Sequence, residues 1–274
     1  MMRGRTVKRG RGRVAVTSGK EGPQAAEPGA VWTIILAAGR GKRMKSDLAK
    51  VLHSICGVPM LTHPVATARA AGAEKIVVVI GHQAERIREC FQRDDLIFVE
   101  QREQLGTGHA VLQARDVFRG YRGSILILCG DVPLIRPETV RALCQRHREE
   151  GAAVTVLTTV PADPAGYGRV IKANDGGVLK IVEDKDATAI EKRTREINTG
   201  IYCVENPFLF EAVSALGNRN AQGEYYLTDI VEIANQKGLR VTSLAADDPQ
   251  EVMGINTPDE LEKACGIMNG RHLR

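Results

Sequence analysis

The sequence predicts an α/β protein built on a twisted, mainly parallel sheet with an inserted β-rich lobe. Three observations predict it. From about Val31, short apolar runs alternate with helix-like segments. Those runs are apolar throughout rather than alternating, as in strands covered by helices on both faces. After Val160 the pattern changes to shorter strands, with GRVIK and VLKIVED flanking an NDGG turn, a hairpin signature. The expected core is therefore Rossmann-like and doubly wound, with ligands outside the carboxyl ends of its strands.

The elements follow in order. VWTIILAAG ends in glycine and reads as the first buried strand. PMLTHPVATARAAG reads as a helix with Pro early and Gly at its end. EKIVVVIG, LIFVEQ, SILILCGD and AAVTVLTTV are the next four strands. AERIRECF, GTGHAVLQARDVF and PETVRALCQRHREEG are the helices between them. Beyond the hairpin, ATAIEKRTREI is a charged helical stretch and NTGIYCVE another strand. Helices PFLFEAVSAL and YYLTDIVEIANQKG, the strand RVTSLAA and a terminal helix TPDELEKACGIMN complete the chain. Thr257 with Glu260 three residues on forms a capping box for that last helix. The predicted organisation is a disordered basic tail over 1–30, one domain over 31–256 and a C-terminal helix over 257–274. No 20–50-residue internal repeat is visible.

Length and composition bound the function. A chain of 274 residues with 43% hydrophobic content builds a sizeable core. No uncharged apolar stretch approaches the ~20 residues of a membrane span. One Trp, five Tyr and five Phe argue against an aromatic platform for single-stranded nucleic acid. The net charge of +5 belongs to residues 1–30, which hold seven Lys/Arg and two acids; the body is neutral. A basic body tracking a nucleic-acid backbone is disfavoured. The Arg/Gly-rich tail has no apolar signal-peptide core. It reads as a solvated extension, with a nucleic-acid-binding arm as its rival. Six cysteines without a CxxC pair, several in apolar runs, read as buried reduced thiols, which fits a cytoplasmic protein. Six scattered His lack zinc-ligand spacing.

Several segments carry chemistry. In LAAGRGKRMKSDLAK, Gly39 and Gly41 let backbone N–H groups approach an anion, ringed by Lys42, Arg43, Lys45 and Lys50. Met44 stands where a dinucleotide fingerprint needs its third Gly, and no GK[ST] of a Walker A motif follows. The loop is a phosphate cradle or a tight strand–helix turn with solvated charges. Asp131 ends a buried strand, where a charge needs a partner; a divalent cation is one, a turn or cap role the other. EQLGTGHA opens a helix with Gly-Thr-Gly, suited to a flat ring and to N–H donors, or to capping by Thr107. His109 reads as a packed or hydrogen-bonded helix residue. GYGRV, EINTG and GINTPDE are polar where a plain strand would be apolar, through ligand contact or ordinary turn and cap chemistry.

Taken together, LAAGRGKRM with Lys50, EQLGTGHAV, GDVPLI, GYGRV, IVEDKDAT, EINTGIY, NAQGEYYLTDI and GINT resemble the sugar-1-phosphate nucleotidyltransferases. The likeness is close to the N-acetylglucosamine-1-phosphate uridylyltransferase half of a bifunctional bacterial enzyme, and it spans about Ile34 to Asn256. The resemblance implies a nucleotide-diphospho-sugar transferase fold and Mg²⁺-dependent synthesis of UDP-N-acetylglucosamine, a cell-wall precursor, from UTP and N-acetylglucosamine-1-phosphate. It implies that Leu36, Ala37, Ala38 and Gly39 line the nucleotide, and that Arg43 and Lys50 bind its phosphates. Gln101, Gly106 and Thr107 would read uracil, and Asp131 and Asn256 would hold Mg²⁺. Gly168, Glu183, Asn198 and Thr228 would grip the sugar phosphate.

Rival readings are the same fold acting on another sugar or nucleotide, and a non-catalytic UDP-sugar-binding regulator. Two departures stand out: Lys42 where the family usually has Thr, and Ala49 where it usually has Pro, a loss expected to loosen the loop presenting Lys50. The bifunctional relative continues into an acetyltransferase β-helix that builds a trimer. The expectation for this chain is no acetyltransferase activity and a monomer or weak oligomer, with no membrane partner and no nucleic acid.

Overall fold

The computed structural model describes Met1, residues 31–92 and residues 95–272. The predicted basic tail, Met1 apart, lies outside the described residues, as do the last two residues assigned to the C-terminal helix.

The first apolar run forms β1 (Val31–Ala37). A short hairpin, β2 (Ser54–Ile55) and β3 (Val58–Pro59), precedes α1 (Thr62–Ala70). The first residues of the predicted 59–72 helix thus close a hairpin, where Pro59 satisfies an edge position. There follow β4 (Ala73–Ile80), α2 (Ala84–Cys90), β5 (Leu96–Glu100) and α3 (Thr107–Leu112). Helix α3 stops six residues short of the predicted Phe118, and turns carry the chain to β6 (Gly123–Cys129). Next come α4 (Pro137–Glu149) and β7 (Val154–Thr159), both as expected. The lobe contributes the predicted hairpin, β8 (Arg169–Lys172) and β9 (Val178–Val182). The charged stretch 187–197 is not a helix beyond one 3₁₀ turn at Glu191–Arg193. There the Glu191 carboxylate accepts the Thr188 N–H and hydroxyl and pairs with Lys180, so local bonds and an ion pair to β9 replace helical ones. The chain ends with β10 (Ile197–Asn206), α5 (Phe208–Ser214), α6 (Ile230–Gln236), β11 (Val241–Ala245) and α7 (Pro258–His272).

The main sheet runs β11-β7-β10-β6-β1-β4-β5, with the β8–β9 hairpin attached to β10. The β6-β1-β4-β5 and β7-β11 neighbours are parallel. Strand β10 lies antiparallel between β6 and β7. Direction matters more than order here. An antiparallel strand begins where its parallel neighbours end, so the polar Asn198 at the head of β10 sits at the carboxyl edge beside Asp131. The register Tyr202↔Ile127 fixes this, and an irregularity in the β7 pairing falls between Asn198 and Tyr202.

Alternate residues of each strand feed two cores. Ile34, Val77, Val79, Ile125 and Ile127 pack on one face. Ile35, Ile76, Val78, Ile80, Leu126 and Leu128 pack on the other. A third cluster joins Ile55 and Met60 of the small hairpin region to Ile255 and Ala264, seating α7. The cysteines depart from expectation. All six are free thiols, but only Cys144 and Cys203 are buried, while Cys56 and Cys90 are exposed. Among the described residues no helix is long and apolar enough to cross a membrane.

The capping box of α7 forms as predicted: Glu260 Oε2 accepts the Thr257 N–H at 2.9 Å and Thr257 Oγ1 accepts the Glu260 N–H at 3.3 Å. The same carboxylate oxygen accepts the Asn256 N–H at 2.6 Å. Glu260→Ala is therefore expected to lower unfolding free energy by about 1 kcal/mol. An unchanged urea midpoint would show that the cap contributes nothing.

Candidate active site

A cleft of about 310 Å³ opens at the carboxyl ends of β1 and β6. Leu36, Ala37, Ala38 and Gly39 form one wall, Gln101, Gly106 and Thr107 another, and Lys50 and Asp131 complete the lining. An adjoining hollow of about 200 Å³ is lined by Gly41, Lys42, Arg43, Lys50 and Asn256. Lys50 lines both spaces.

The Lys50 ammonium donates to Asp131 Oδ2 and, at 2.9 Å, to Asn256 Oδ1. Each partner is held by its own backbone geometry. Gly130 donates its N–H to the Leu36 carbonyl at 2.8 Å, which turns Asp131 out of β6 into the cleft. The Asp131 carbonyl accepts the Ile255 N–H at 2.8 Å, pinning the 254–256 segment alongside. Asn256 Nδ2 donates to the Gly254 carbonyl at 3.2 Å, so its Oδ1 faces the ammonium. Gly41 has φ 63, and a Cβ there would lie 2.6 Å from Lys50 Cβ. Its lack of a side chain lets the lysine stem pass. Gly39, by contrast, has nothing within 4 Å of its Cβ position and stays open to a ligand. The two glycines of the loop thus answer two different needs.

The Gly-Thr-Gly segment also has a local explanation. A Cβ on Gly106 would meet the Tyr225 carbonyl oxygen at 2.6 Å, and one on Gly108 would meet Leu216 Cδ1 at 2.3 Å. The Gly108 N–H already donates to the Tyr225 carbonyl. Thr107 is no cap: Gly106 holds that position, and Thr107 Oγ1 accepts the Leu227 N–H at 3.0 Å. These glycines serve the approach of the 225–227 strap, although Gly106 and Thr107 still border the cleft. Gln101 is buried, with Nε2 donating to the Gly106 carbonyl at 3.0 Å and lying 3.1 Å from His109 Nδ1. His109 is hydrogen-bonded on its helix, as expected.

The remaining predicted residues gather in a second cluster. The Asn198 N–H donates to the Gly168 carbonyl at 2.9 Å, and Asn198 Oδ1 accepts the Gly200 N–H. A Cβ on Gly168 would stand 3.6 Å from Glu183 Oε2. Buried Thr228 donates to Glu183 Oε1 at 3.2 Å. Burial raises the Glu183 carboxyl above its ordinary range, opposed by the Thr228 bond. Glu183 also lines a space of about 360 Å³ together with Asp186, Asp229 and Glu232. Burial, then Glu232 and Asp186, push Asp229 up to about 6. Thr107, bonded to Leu227 next to Thr228, ties this cluster to the first.

Sequence reading missed Gln104, Glu224 and Cys129, which line the cleft, and Gln83, which bonds the loop ahead of Lys50. Gln104 Nε2 donates to the Gln101 carbonyl and its Oε1 accepts from Arg40 Nε. Gln104 lies in EQLGTGHAV, Glu224 in NAQGEYYLTDI and Cys129 at the end of the fourth strand, but nothing in those segments singles them out, and Gln83 lies outside every motif. Their roles come from partners distant in sequence. The loss of Pro at position 49 was expected to loosen the loop, yet Gln83 Oε1 accepts the Ala49 N–H at 3.0 Å. Among the described residues no group of three or more His, Cys, Asp or Glu side chains gathers as a metal site.

Residues 33–203 match the family described as the MobA-like NTP transferase domain. Among curated proteins, the chain is 57% identical over 232 residues to the bifunctional protein GlmU of Geobacter metallireducens, covering 84% of this chain and 49% of the relative. It is 56% identical to bifunctional protein GlmU of Geobacter sulfurreducens over 88% of this chain and 50% of that protein. For that of Halalkalibacterium halodurans the identity is 47%, over 88% and 52%. The chain spans about half the length of the curated relatives it matches.

Asp229 sets a pH dependence. A carboxyl raised in the folded state binds its proton more tightly there than in the unfolded chain. Stability from Asp229 is therefore present below pH ~4 and lost as pH rises through about 6. Asp229→Asn is expected to flatten that part of the stability profile between pH 4 and 6, measured by urea unfolding. An unchanged slope would place the Asp229 carboxyl in its ordinary range.

Proposed function

This chain belongs to the family of MobA-like NTP transferase domains, and on that premise we propose that it joins UTP and N-acetylglucosamine-1-phosphate into UDP-N-acetylglucosamine, releasing pyrophosphate. One observation carries the reading: a single cationic group is shared by Asp131 and Asn256 where the glycine-rich loop meets the cleft. The relatives named GlmU and the motif series from Ile34 to Asn256 support the choice of substrates.

The reaction opposes two anions. A phosphate oxygen of the sugar phosphate attacks the α-phosphorus of UTP, and the bond from that phosphorus to the β-phosphate oxygen breaks. The attacking oxygen is already a nucleophile, so repulsion and alignment are the obstacles, not proton removal. Lys50 and Arg43 present fixed positive charge to the phosphates from the loop side. Backbone groups of Leu36 to Gly39 border the nucleotide, with Gln101, Gly106 and Thr107 against the base. Gly168, Glu183, Asn198 and Thr228 offer acceptors and donors to the sugar. Leu36, Ala37 and Ala38 exclude water from one side of the reacting phosphates.

The donor set fits Mg²⁺. A carboxylate and an amide oxygen that already share one ammonium are close enough to share a metal, and Mg²⁺ bound to phosphates takes few protein ligands. Asp131 and Asn256 would hold it. When bound it supplies charge neutralisation and polarises the phosphate oxygens.

The decisive assay follows pyrophosphate from UTP plus N-acetylglucosamine-1-phosphate, with and without Mg²⁺. Lys50→Ala and Asp131→Ala are each expected to lower kcat by roughly 10²–10³-fold. Near wild-type rates at saturating Mg²⁺ would remove those roles. Gln101→Ala is expected to weaken the preference for UTP over CTP, read as the ratio of kcat/KM values. An unchanged ratio would take Gln101 out of base recognition.

A further inference from the structure

The lysine at the centre of the cleft follows a stretch with little structure of its own. Residues 46–48 form only a bend, and the Leu48 N–H turns back on Ser46 Oγ at 3.1 Å. The next two bonds come from one side chain, 34 and 36 residues away. Gln83 Oε1 accepts the Ala49 N–H at 3.0 Å, and Gln83 Nε2 donates to the Asp47 carbonyl at 2.8 Å. One carboxamide thus binds the chain on both sides of Leu48, immediately ahead of Lys50.

The backbone of Gln83 makes this more than incidental. Its φ of 55 and ψ of 40 lie in the left-handed region, where glycine is at ease and a long side chain is not. A glutamine tolerated there is doing something a glycine would not do. It caps α2 with no side-chain bond to that helix. Among the described residues its side-chain bonds go to the lysine loop. It is also set on firm ground, because Ala84 donates to Gly81 O and a Cβ on Gly81 would stand 2.8 Å from the Ala38 carbonyl oxygen. The end of β4 is thereby locked to the end of β1, and Gln83 reaches the loop from that anchor.

We infer that Gln83 is a positioning residue for Lys50: it holds the 47–49 backbone so that the lysine side chain enters the cleft beside Asp131 and Asn256. The inference rests on the reading of Lys50 as the cation that meets the phosphates. Ala49 supplies the means to test it. Its φ of −53 lies in the range that proline imposes, so proline there keeps the backbone while deleting the N–H that Gln83 holds.

The experiment compares wild type, Gln83→Gly, Ala49→Pro and the double variant. Gln83→Gly is expected to lower kcat for pyrophosphate release roughly tenfold through misalignment. Its Tm should hold or rise, because the left-handed backbone is relieved. Amide exchange in a 46–52 peptide of the unliganded protein should quicken. Ala49→Pro should keep kcat within about twofold, and Gln83→Gly should cost less than about twofold on that background. A residue that merely supported the fold would lower Tm and kcat together and would do so equally in both backgrounds. That result overturns the inference, as does a Gln83→Gly protein with wild-type kcat and unchanged exchange. If Ala49→Pro itself lowers Tm, Gln83→Glu replaces it. The carboxylate still accepts from Ala49 but loses the bond to Asp47, so an exchange rate between wild type and Gln83→Gly supports the clamp and a wild-type rate overturns it. Should wild type release no pyrophosphate with these substrates, the proposed reaction fails, while the exchange comparison still decides the clamp.

Discussion

A partly buried ion pair governs this structure. The Lys50 and Asp131 side chains are 12% and 24% exposed, and Asn256 is the third partner. Withdrawing charges from water is unfavourable unless their geometry is held and their remaining valences are filled. The partners lie 81 and 206 residues from Lys50, so local sequence cannot hold them together. Each is fixed by a separate device. Gly41 yields room for the lysine stem, the Ile255 N–H ties the C-terminal segment to Asp131, and Glu260 draws in the Asn256 N–H. The third hydrophobic cluster, with Ile255 fully buried, anchors that segment from below. Packing, capping and electrostatics are therefore one system at this point rather than three.

The sheet brings the second cluster to the same edge by reversing one strand. Were β10 parallel to β6, its head would lie at the opposite edge of the sheet, far from Asp131. Running antiparallel, it delivers Asn198 to the carboxyl edge and leads straight into the β8 contact at Ile197↔Arg169. Gly200, at φ 79, permits the close passage beside Cys129, whose thiol donates to the Gly200 carbonyl at 3.3 Å. Burial, then the Asp131 carboxylate, raise that thiol. It remains a neutral donor in the cleft wall, not a thiolate nucleophile.

How much was legible follows from the range of each interaction. The strands were legible because burial on both faces demands unbroken apolar runs, and VWTIILA, KIVVVI and SILIL supply them. The capping box was legible because its partners lie three residues apart. Strand direction was not, since NTGIYCVE is equally apolar in either sense. The charged stretch 187–197 misled because its charges pair across the fold, Glu191 with Lys180 and Glu196 with Lys172, rather than along a helix. Glycines misled in a subtler way. Gly106 and Gly108 suggested room for a ligand, but their missing side chains admit Tyr225 and Leu216 of the same chain. Gln83 carried no signal at all, because its role depends on a backbone angle and on the N–H of a residue that is not proline.

Charge differs between the two halves of the site, and under the proposed reaction that difference bears on how phosphate and sugar would lie. Lys42, Arg43 and Lys50 border the hollow beneath the glycine-rich loop. Glu183, Asp186, Asp229 and Glu232 border a second space together with Lys180 and Arg219, and burial and neighbouring carboxylates raise Glu183 and Asp229. A phosphate placed against Glu183 would add negative charge beside a carboxylate that is already disfavoured. Hydroxyl and amide donors would instead relieve it, since a carboxylate that accepts hydrogen bonds is stabilised in its charged form. Under the proposed reaction the phosphates must therefore converge on Lys50 while the sugar ring points toward Glu183 and Thr228.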